Sequence, residues 1–373
     1  MNNTGIPDSF LAENEKQIFV KKSFNEILVN LYSQIFELLK NRDTILNSKE
    51  LSYVESFVDR VDLSSLDIKD IVARPDAVIV DRDLKIFELN TTTSIGGTLT
   101  FSKILKFYKS DRMTPLEAQS EHLSLISNDK QIVTWRLNKV DEYTDEELEI
   151  ESILSKKHKV RYNCMKSIKD LNSEMISNIS ETIFYRTIST SESNECKRDI
   201  YNVEKEIPAN SIFLPVEISD LLTSKIFFSI ISKYIDSSNV VESEWITAEI
   251  NSEKINKFKK DKNALLIKKE LSNQGKDVFV GKELTQEKWN LLIEDAISSE
   301  KYIIQRVYES FEEEWIIDSK KVKAKYIVSP YFFGGFSGGN VARIRLDEKL
   351  IAVLPGVTNT AVGSINDRVV KNE

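Results

Sequence analysis

The sequence predicts a mixed α/β protein with more than one lobe, and three features lead to that prediction. The stretch from Ala73 to Gly97 contains two short apolar, β-branched runs on either side of a charged turn, as a tight hairpin does. Residues 130 to 216 alternate between strand-like and helix-like segments, which predicts a small parallel sheet with right-handed crossovers. The length of 373 residues allows two or three packed layers or lobes.

Helices are predicted on both sides of the hairpin. Between Ser23 and Leu39 the apolar residues recur at intervals of three and four, which is the pattern of an amphipathic helix. A second helical segment runs from Ser48 to Arg60. The segment from Thr98 to Tyr108 predicts a helix that begins directly behind the hairpin, with N-terminal amides available to an anion.

The second strand of the hairpin ends in a concentration of oxygen-bearing side chains. Glu88 and Asn90 are two residues apart and are expected on the same face, and Thr and Ser residues up to Ser94 follow before Gly96 and Gly97. Mg²⁺ prefers oxygen ligands and leaves room for water and substrate phosphates. The pattern therefore favours a magnesium site, while an ordinary polar loop is the alternative reading of the same residues.

The first strand of the hairpin begins with Arg74 and Asp76, again two apart. A hairpin brings this end to the same edge as Glu88, Asn90 and Ser94. A mixed cationic and anionic edge suits phosphate, metal and carboxylate better than it suits packing.

The third strand-like run of residues 130 to 216, TIFYR, ends at Arg186. An arginine at the carboxyl edge of a parallel sheet is placed to face a ligand, although a surface position is the alternative.

The region after Leu214 contains the arrangement of strand, polar loop and strand that a phosphate-binding lid needs. Lys225 opens a helix, and Lys268 ends a strand that leads through a polar loop with Gly275 into a second strand. An exposed hairpin is the alternative interpretation. The apolar strand that ends at Gln305 to Val307 leads out of this region, and its backbone is expected to pair with the edge of an adenine.

The last region contains four glycines within six residues and then a strand with Arg343 and Arg345 on one face. Paired guanidinium groups after glycine-rich turns favour phosphate or carboxylate binding. A surface strand with two solvated arginines is the alternative.

Composition and charge exclude several classes of protein. The net charge of -8 comes from intermixed acids and bases, and the absence of a basic stripe argues against nucleic-acid binding. Two cysteines and two histidines argue against a disulfide framework, a zinc site and a Ser-His-Asp triad. Since the sequence contains no run of 18 apolar residues and no signal-like N-terminus, we expect a soluble, cytoplasmic protein without a membrane partner.

The motifs resemble one known family. The sequence contains R-x-D and then, further along the chain, E-x-N followed by Thr/Ser and Gly-Gly. This order resembles the hairpin of the eukaryotic-type glutathione synthetases. These belong with glutathionylspermidine synthetase-like enzymes to the ATP-grasp carboxylate-amine ligases. The resemblance implies a permuted, glutathione synthetase-like ATP-grasp fold with a small Rossmann-like substrate domain. The expected divisions are helices and metal-binding hairpin in residues 1–129, substrate domain in 130–216, and lid and nucleotide-binding region in 217–373.

The resemblance also implies roles for single residues. Glu88 and Asn90 would hold Mg²⁺, and ATP would contact Lys225, Lys268 and Arg345 together with the hinge at Gln305 and Val307. The acyl substrate would lie against Arg74 and Arg343. Ser94 at the hairpin edge and Arg186 at the sheet edge are added as substrate-binding candidates from their positions. Of these, Arg74 and Arg343 would act in catalysis by holding the substrate and its developing charge.

The chain departs from the family in the lid loop, which reads KKELSNQGKD with a single glycine. The family has a proline, a glutamate and a triple glycine there, so the third metal-holding acid is unassigned, with Glu270 and Asp277 as candidates. The stretch from Gly356 to Gly363 would correspond to the family's flexible substrate lid.

The function implied is an ATP- and Mg²⁺-dependent ligase that joins a small carboxylate to an amine through an acyl phosphate and releases ADP. Biosynthesis of a secondary metabolite or small peptide fits the poor match to glutathione synthesis, and a homodimer is expected by family analogy. Two alternatives stay open from the sequence. One is a phosphotransferase or adenylating enzyme at the same nucleotide site, and the other is an ATP-binding protein without catalysis.

Overall fold

The computed structural model describes residues 12, 15–58, 62–91, 97–127, 131–137, 149, 152–157, 160–165, 182–186, 212–214, 218–270, 277–345 and 360–370. Within these residues the protein is a mixed α/β fold with three sheets. An eight-stranded mixed sheet forms the centre, and a four-stranded antiparallel sheet and a four-stranded parallel sheet accompany it.

The strands are β1 (Lys16–Val20), β2 (Val72–Ala73), β3 (Asp76–Val80), β4 (Asp83–Glu88), β5 (Gln131–Leu137), β6 (Val160–Met165), β7 (Thr182–Arg186), β8 (Ile212–Leu214), β9 (Ser243–Trp245), β10 (Leu265–Lys269), β11 (Val278–Val280), β12 (Tyr302–Arg306), β13 (Glu313–Ile317), β14 (Lys320–Phe333), β15 (Phe336–Arg345) and β16 (Thr360–Val369). The helices are α1 (Phe24–Lys40), α2 (Arg42–Ile45), α3 (Ser48–Val58), α4 (Thr98–Phe107), α5 (Pro115–Ser127), α6 (Ser219–Thr223), α7 (Lys225–Tyr234), α8 (Ser252–Lys260) and α9 (Gln286–Ser299).

The central sheet has the order β1-β16-β15-β14-β3-β4, and β2 and β13 also pair with β14. One of its faces is buried in the main hydrophobic core, where Ala77, Val328 and Ile344 pack together with apolar residues of α1. Side chains alternate between the two faces of a strand, so Val78 of β3 and Ile327 of β14 lie on the opposite face of the sheet. This second face is the one that meets the candidate site.

Helix α1 confirms the predicted amphipathic helix, because its apolar stripe is buried as the spacing requires. Ser23 caps the helix: its hydroxyl accepts from the Glu26 amide, and the Glu26 carboxylate accepts from the Ser23 amide. The polar residues of the opposite face remain on the surface.

The hairpin of β3 and β4 is also found, with a turn one residue shorter than the charged run of the sequence. Asp83 pairs with Val80 and belongs to the strand, so that Asp81 and Arg82 alone make the turn. Both turn residues have positive φ, at 52° and 65°, as a tight two-residue hairpin turn requires.

The antiparallel sheet has the order β11-β10-β12-β9. One face is covered by α8 and α9, through contacts among Ile267, Ile304, Phe258 and Trp289. The other face carries Lys268 and points to the end of β4.

The small parallel sheet expected between residues 130 and 216 has the order β6-β5-β7-β8, and each of its pairs is parallel. Arg186 is the last residue of β7, and its backbone lies opposite Trp135 of β5. The Arg186 side chain lies outside what the structure describes.

The glycines of the last region do not all lie in turns, which corrects the sequence interpretation. Gly334 and Gly335 form the turn between β14 and β15, with φ of 55° and 95°. Gly338 and Gly339 lie inside β15, where a Cβ would come within 2.8 Å of Pro115 and 2.7 Å of Leu105. Here the missing side chain lets helices α4 and α5 approach the sheet.

The predicted lid from Gly356 to Gly363 also needs correction. Residues 351–359 lie outside the description, but β16 begins at Thr360. Gly363 therefore pairs with Ala342 inside the sheet, where a Cβ would lie 2.9 Å from the Trp315 ring.

Across the described parts of the chain, no helix combines the length and apolar character needed to span a bilayer.

Candidate functional site

The carboxylate of Glu88 lies between two lysine ammonium groups that come from separate parts of the chain. Its Oε1 is 3.6 Å from Nζ of Lys225, and its Oε2 is 3.7 Å from Nζ of Lys268. The side chain of Lys225 is 7% exposed and that of Lys268 is 2% exposed, whereas the side chain of Glu88 is 23% exposed. The acid therefore forms the open side of a cationic pocket.

Glu88 and Lys225 are placed by the ends of their elements, and Lys268 is placed by the interior of a strand. Glu88 is the last residue of β4, next to a bulge where the register between β3 and β4 shifts. Bulges of this kind redirect side chains at sheet ends. Lys225 is the first residue of α7, whose N-cap Ser224 accepts from the Phe227 amide at 3.2 Å. Lys268 lies in the middle of β10.

Lys268 is buried against Phe87, the neighbour of Glu88. Its ammonium group donates to the Phe87 carbonyl at 3.2 Å and lies 4.9 Å from the centre of the Phe87 ring. Burial, with a smaller contribution from the charge of Lys225, lowers the pKa of Lys268 to about 8 against the opposing effects of Glu88 and Asp76. A lysine of this kind gains its full charge when an anion arrives.

Asn90 is held beside Glu88 through its backbone and its amide nitrogen. The Arg74 amide donates to the Asn90 carbonyl at 2.8 Å, and the Asn90 side-chain nitrogen donates to the Arg74 carbonyl at 3.2 Å. The side-chain oxygen is then the atom of Asn90 that suits a metal. The following residue, Thr91, donates to the Ser219 carbonyl at 2.8 Å and fixes the end of the hairpin on α6.

The donor set fits Mg²⁺, because Glu88 and Asn90 offer hard oxygen atoms and few protein ligands suffice for an ion that keeps water and phosphate. In the described ranges, no three His, Cys, Asp or Glu side chains form a metal-binding group. Of the two candidates for a third acid, Glu270 accepts a hydrogen bond from the Tyr53 hydroxyl. Asp277 follows the undescribed residues 271–276, and its carbonyl accepts from the Lys269 amide at 3.1 Å.

A second charged group adjoins the first on the open face of the central sheet. Asp76 accepts from the Ser329 hydroxyl at 2.7 Å and pairs with the Arg343 guanidinium at 2.5 Å. The same guanidinium donates to Ser329 at 3.2 Å. Burial by itself would raise the pKa of Asp76, but Arg343, Arg74 and the Ser329 hydroxyl outweigh it and hold the pKa below its usual value.

Arg74 lies over an aromatic ring at the edge of this group. Its guanidinium is 5.8 Å from the centre of the Tyr331 ring and donates to the Tyr331 hydroxyl at 3.5 Å. A Cβ on Gly97, the N-cap of α4, would lie 3.4 Å from the same hydroxyl. Arg74 and the start of α4 therefore both lie next to Tyr331.

The predicted hinge is the end of β12, and some of its polar groups already form hydrogen bonds within the protein. The Gln305 side chain donates to the Phe87 carbonyl at 3.2 Å and to the Ser243 hydroxyl at 2.8 Å. The Val307 amide donates to the Ala264 carbonyl at 2.9 Å. A base that binds here would use the Val307 carbonyl, because the amide is already bonded.

Several predicted residues cannot be placed against this site. Ser94 lies outside the described residues, as do the polar loop 271–276 and residues 351–359. Arg345 ends β15 with its backbone paired to Lys325, and its side chain is likewise outside the description. Of the predicted site residues, Arg74, Glu88, Asn90, Lys225, Lys268, Gln305 and Arg343 are the ones whose side chains the structure brings to this region.

The structure also shows partners of the site residues that the sequence does not indicate. Asp76 was expected at the charged edge as part of R-x-D, but its pairing with Arg343 depends on the position of β14 between β3 and β15. Ser329 and Tyr331 belong to an apolar strand and carry no sequence signal. Tyr53 lies on α3, which the sequence indicates only as a helix.

Comparison with known proteins adds little to this geometry. No known protein family matches the chain, and no curated protein matches it. Among solved structures, a protein from Methylobacillus flagellatus KT provisionally named gamma-glutamylcysteine synthetase matches with 10% sequence identity and a TM-score of 0.38, over 90% of this chain and 86% of that one. At this level of similarity, the site has to be interpreted from its own residues.

Proposed function

We propose that this chain is an ATP- and Mg²⁺-dependent carboxylate-amine ligase with a permuted, glutathione synthetase-like ATP-grasp fold. The observation that carries the proposal is the position of Glu88 between Lys225 and Lys268. Three elements that are distant in sequence bring together one acid and two cations, to which we assign the metal and the phosphates. The order of these residues along the chain agrees with the family that the motifs resemble.

In this proposal the nucleotide lies between the antiparallel sheet and the end of β4. Lys225 and Lys268 bind its phosphates, and Arg345 is assigned to ATP on the resemblance alone. Leu266 lies two residues before Lys268 and directly opposite Val280, so both share the face of Lys268. They give the adenine an apolar surface beside the hinge at Gln305 and Val307.

Glu88 and Asn90 would hold Mg²⁺, which supplies charge compensation for the phosphates when it is bound. The displacement of Glu88 from the lysines by phosphate groups leaves its carboxylate available to the metal. Each ammonium group then exchanges its contact with the shared Glu88 carboxylate for a contact with a phosphate.

The reaction needs positioning and electrostatic stabilisation and requires no side-chain nucleophile. A carboxylate oxygen of the substrate attacks the γ-phosphorus, the bond from that phosphorus to the bridging oxygen breaks, and ADP leaves. The amine then attacks the acyl carbon, inorganic phosphate leaves with its oxygen, and the nitrogen loses a proton. The products are an amide, ADP and phosphate.

Arg74 and Arg343 would bind the acyl substrate and stabilise its developing charge, with Ser94 and Arg186 as further contacts. Both arginines are oriented by neighbours: Arg343 by Asp76 and Ser329, and Arg74 by Tyr331. A guanidinium held in this way matches a carboxylate geometrically. The substrates are proposed as a small carboxylate and an amine, in the biosynthesis of a secondary metabolite or small peptide.

The test is ATP turnover with Mg²⁺ across panels of amino acids, di-acids and polyamines, with ADP, AMP and phosphate separated. The proposal expects ADP and phosphate in equal amounts, only when both a carboxylate and an amine are present. AMP as product would overturn the acyl-phosphate step. ATP binding without turnover in any combination would overturn the ligase activity.

A further inference from the structure

Helix α3 contacts both elements that carry the phosphate-binding lysines. The hydroxyl of Tyr53, in the middle of α3, lies 2.5 Å from the Ser224 hydroxyl and donates to the Glu270 carboxylate. Ser224 is the N-cap of α7 and directly precedes Lys225. Glu270 directly follows β10, two residues after Lys268. One side chain thus joins the immediate neighbourhoods of Lys225 and Lys268.

The hydrogen bonds at Tyr53 have a single direction. The Phe227 amide donates to the Ser224 oxygen at 3.2 Å, and the Tyr53 proton goes to Glu270. Ser224 therefore donates its own proton to the Tyr53 oxygen. The chain of donors runs from the first turn of α7 to a carboxylate at the end of β10, and its bonds strengthen one another because the acceptor at its end is charged.

Burial, together with the negative charge of Glu270, raises the pKa of Tyr53 well above its usual value. The hydroxyl therefore keeps its proton and remains a donor. The Tyr53 ring contributes as well, because it packs against Trp245 of β9 with the ring centres 5.5 Å apart.

Other side chains of α3 also contact the antiparallel sheet and α7. Toward the antiparallel sheet, Lys49 pairs with Glu300 at 2.5 Å and lies 5.4 Å from the centre of the Trp245 ring. Toward α7, Glu50 accepts from Lys233 at 2.8 Å and from the Tyr234 hydroxyl at 2.6 Å. These contacts attach α3 to each partner separately, whereas the Tyr53 hydroxyl connects the two.

We propose that Tyr53 is a positioning residue for nucleotide binding, which fixes the distance between α7 and the antiparallel sheet and so the distance between Lys225 and Lys268. The proposal rests on the proposed function in taking a triphosphate as the ligand of the two lysines. Tyr53 touches neither substrate nor metal, and its effect passes through Ser224 and Glu270.

The test uses Tyr53→Phe, which removes the hydroxyl and keeps the ring on Trp245. The matched control is Tyr234→Phe, which removes a hydroxyl bonded to Glu50 at the same α3 and α7 interface but remote from Ser224 and Glu270. Calorimetry measures the Kd of Mg-ATP, and thermal unfolding measures stability. We expect the Kd to rise about tenfold in Tyr53→Phe, as for one lost charge-assisted hydrogen bond, and to stay unchanged in Tyr234→Phe.

A second measurement needs no nucleotide. Spin labels at Asn30→Cys on α1 and Leu291→Cys on α9, both exposed positions, report the distance between the main core and the antiparallel sheet. Cys164 and Cys196 are replaced by serine in this background. We expect a narrow distance distribution in the parent protein and in Tyr234→Phe, and a broadened one in Tyr53→Phe.

The outcomes separate this inference from the proposed function. An unchanged distance distribution in Tyr53→Phe overturns the inference, whether or not the protein binds ATP. An unchanged Kd in Tyr53→Phe also overturns it, and so does an equal loss of affinity in both variants. A parent protein that does not bind Mg-ATP overturns the proposed function and the nucleotide role of Tyr53, while the distances still show whether Tyr53 sets the spacing.

Discussion

Lys268 and Glu88 face each other across 3.7 Å, although one belongs to the antiparallel sheet and the other ends a strand of the central sheet. Lys268 is buried and Glu88 is partly open. This pair defines where the two sheets meet, and the candidate site is built around it.

Replacing Glu88 tests the metal assignment. Glu88→Gln keeps the size of the side chain and removes the charge that binds Mg²⁺ and balances two lysines. We expect ATP turnover to fall by at least about a hundredfold, with the fold retained, since interactions of this kind contribute that much to catalysis. Steady-state kinetics over a range of Mg²⁺ concentrations measure the effect.

Asp83→Asn is the matched control for this variant, because Asp83 begins the same strand and forms a surface pair with Lys21 at 2.7 Å. It should change neither turnover nor Mg²⁺ dependence. Wild-type kinetics in Glu88→Gln would show that the metal is held elsewhere.

The lowered pKa of Lys268, about 8, predicts a pH dependence of ATP binding. The triphosphate binds the charged ammonium, so binding near pH 8 should take up a proton, and the Kd should rise by up to about tenfold per pH unit above pH 8. Calorimetry in two buffers of different ionisation enthalpy measures the proton uptake directly.

Lys268→Arg should flatten this profile, since guanidinium stays charged throughout the range. Lys269→Arg, at the next position of β10, should leave the profile unchanged. The same proton uptake in all three proteins would assign it to another group.

The pair of Asp76 and Arg343 predicts strong coupling in stability. Asp76→Asn leaves buried guanidinium groups without their counter-charge and should lower the free energy of unfolding by about 3 kcal/mol. The double variant Asp76→Asn/Arg343→Met should lose less than the sum of the two single variants, with a coupling of about 1 to 3 kcal/mol. Urea unfolding of the four proteins completes the cycle, and additive losses would contradict the pairing.

His122 predicts a loss of stability in mild acid. Its Nε2 donates to the Lys69 carbonyl at 2.6 Å, and its buried Nδ1 has no partner among the described residues. Burial lowers the pKa of His122 below its usual value of 6.5, against the opposing effect of the Lys69 carbonyl. The folded protein therefore favours the neutral ring.

Stability from this group is fully present above pH 6.5 and falls as the pH drops toward the folded-state pKa, because the unfolded chain binds the proton first. The free energy of unfolding should fall by up to about 1.4 kcal/mol per pH unit in that window. Denaturation between pH 5 and pH 8 measures it. His122→Gln keeps a donor for the carbonyl and should be less stable at pH 8 but show a shallower slope. Equal slopes would place the titration elsewhere.

Local features of the fold could be predicted from the sequence because they depend on short-range physics. The spacing of apolar residues predicts α1, and its stripe is buried. The charged turn between β-branched runs predicts the hairpin of β3 and β4, and the alternation in residues 130 to 216 predicts a parallel sheet. Glu88, Asn90, Lys225 and Lys268 were also identifiable, since each marks the end or start of a recognisable element or lies in a strand before a polar loop.

What the sequence could not determine are the partners supplied by other strands and helices. Gly338, Gly339 and Gly363 looked like turn residues, but they lie in strands. Glycine is needed at these positions because neighbouring helices and rings occupy the space that a side chain would fill. Asp76 required Ser329 and Arg343, which reach it through sheet pairing.

The sequence by itself determined helices α1, α3, α4 and α7, the hairpin and the types of residue at the site. Tertiary structure alone decided that Glu88 lies between two lysines and that Tyr53 connects Ser224 to Glu270. The physical reason is that periodicity reports which face of an element is buried, while the identity of the atoms across that face depends on how the sheets and helices pack.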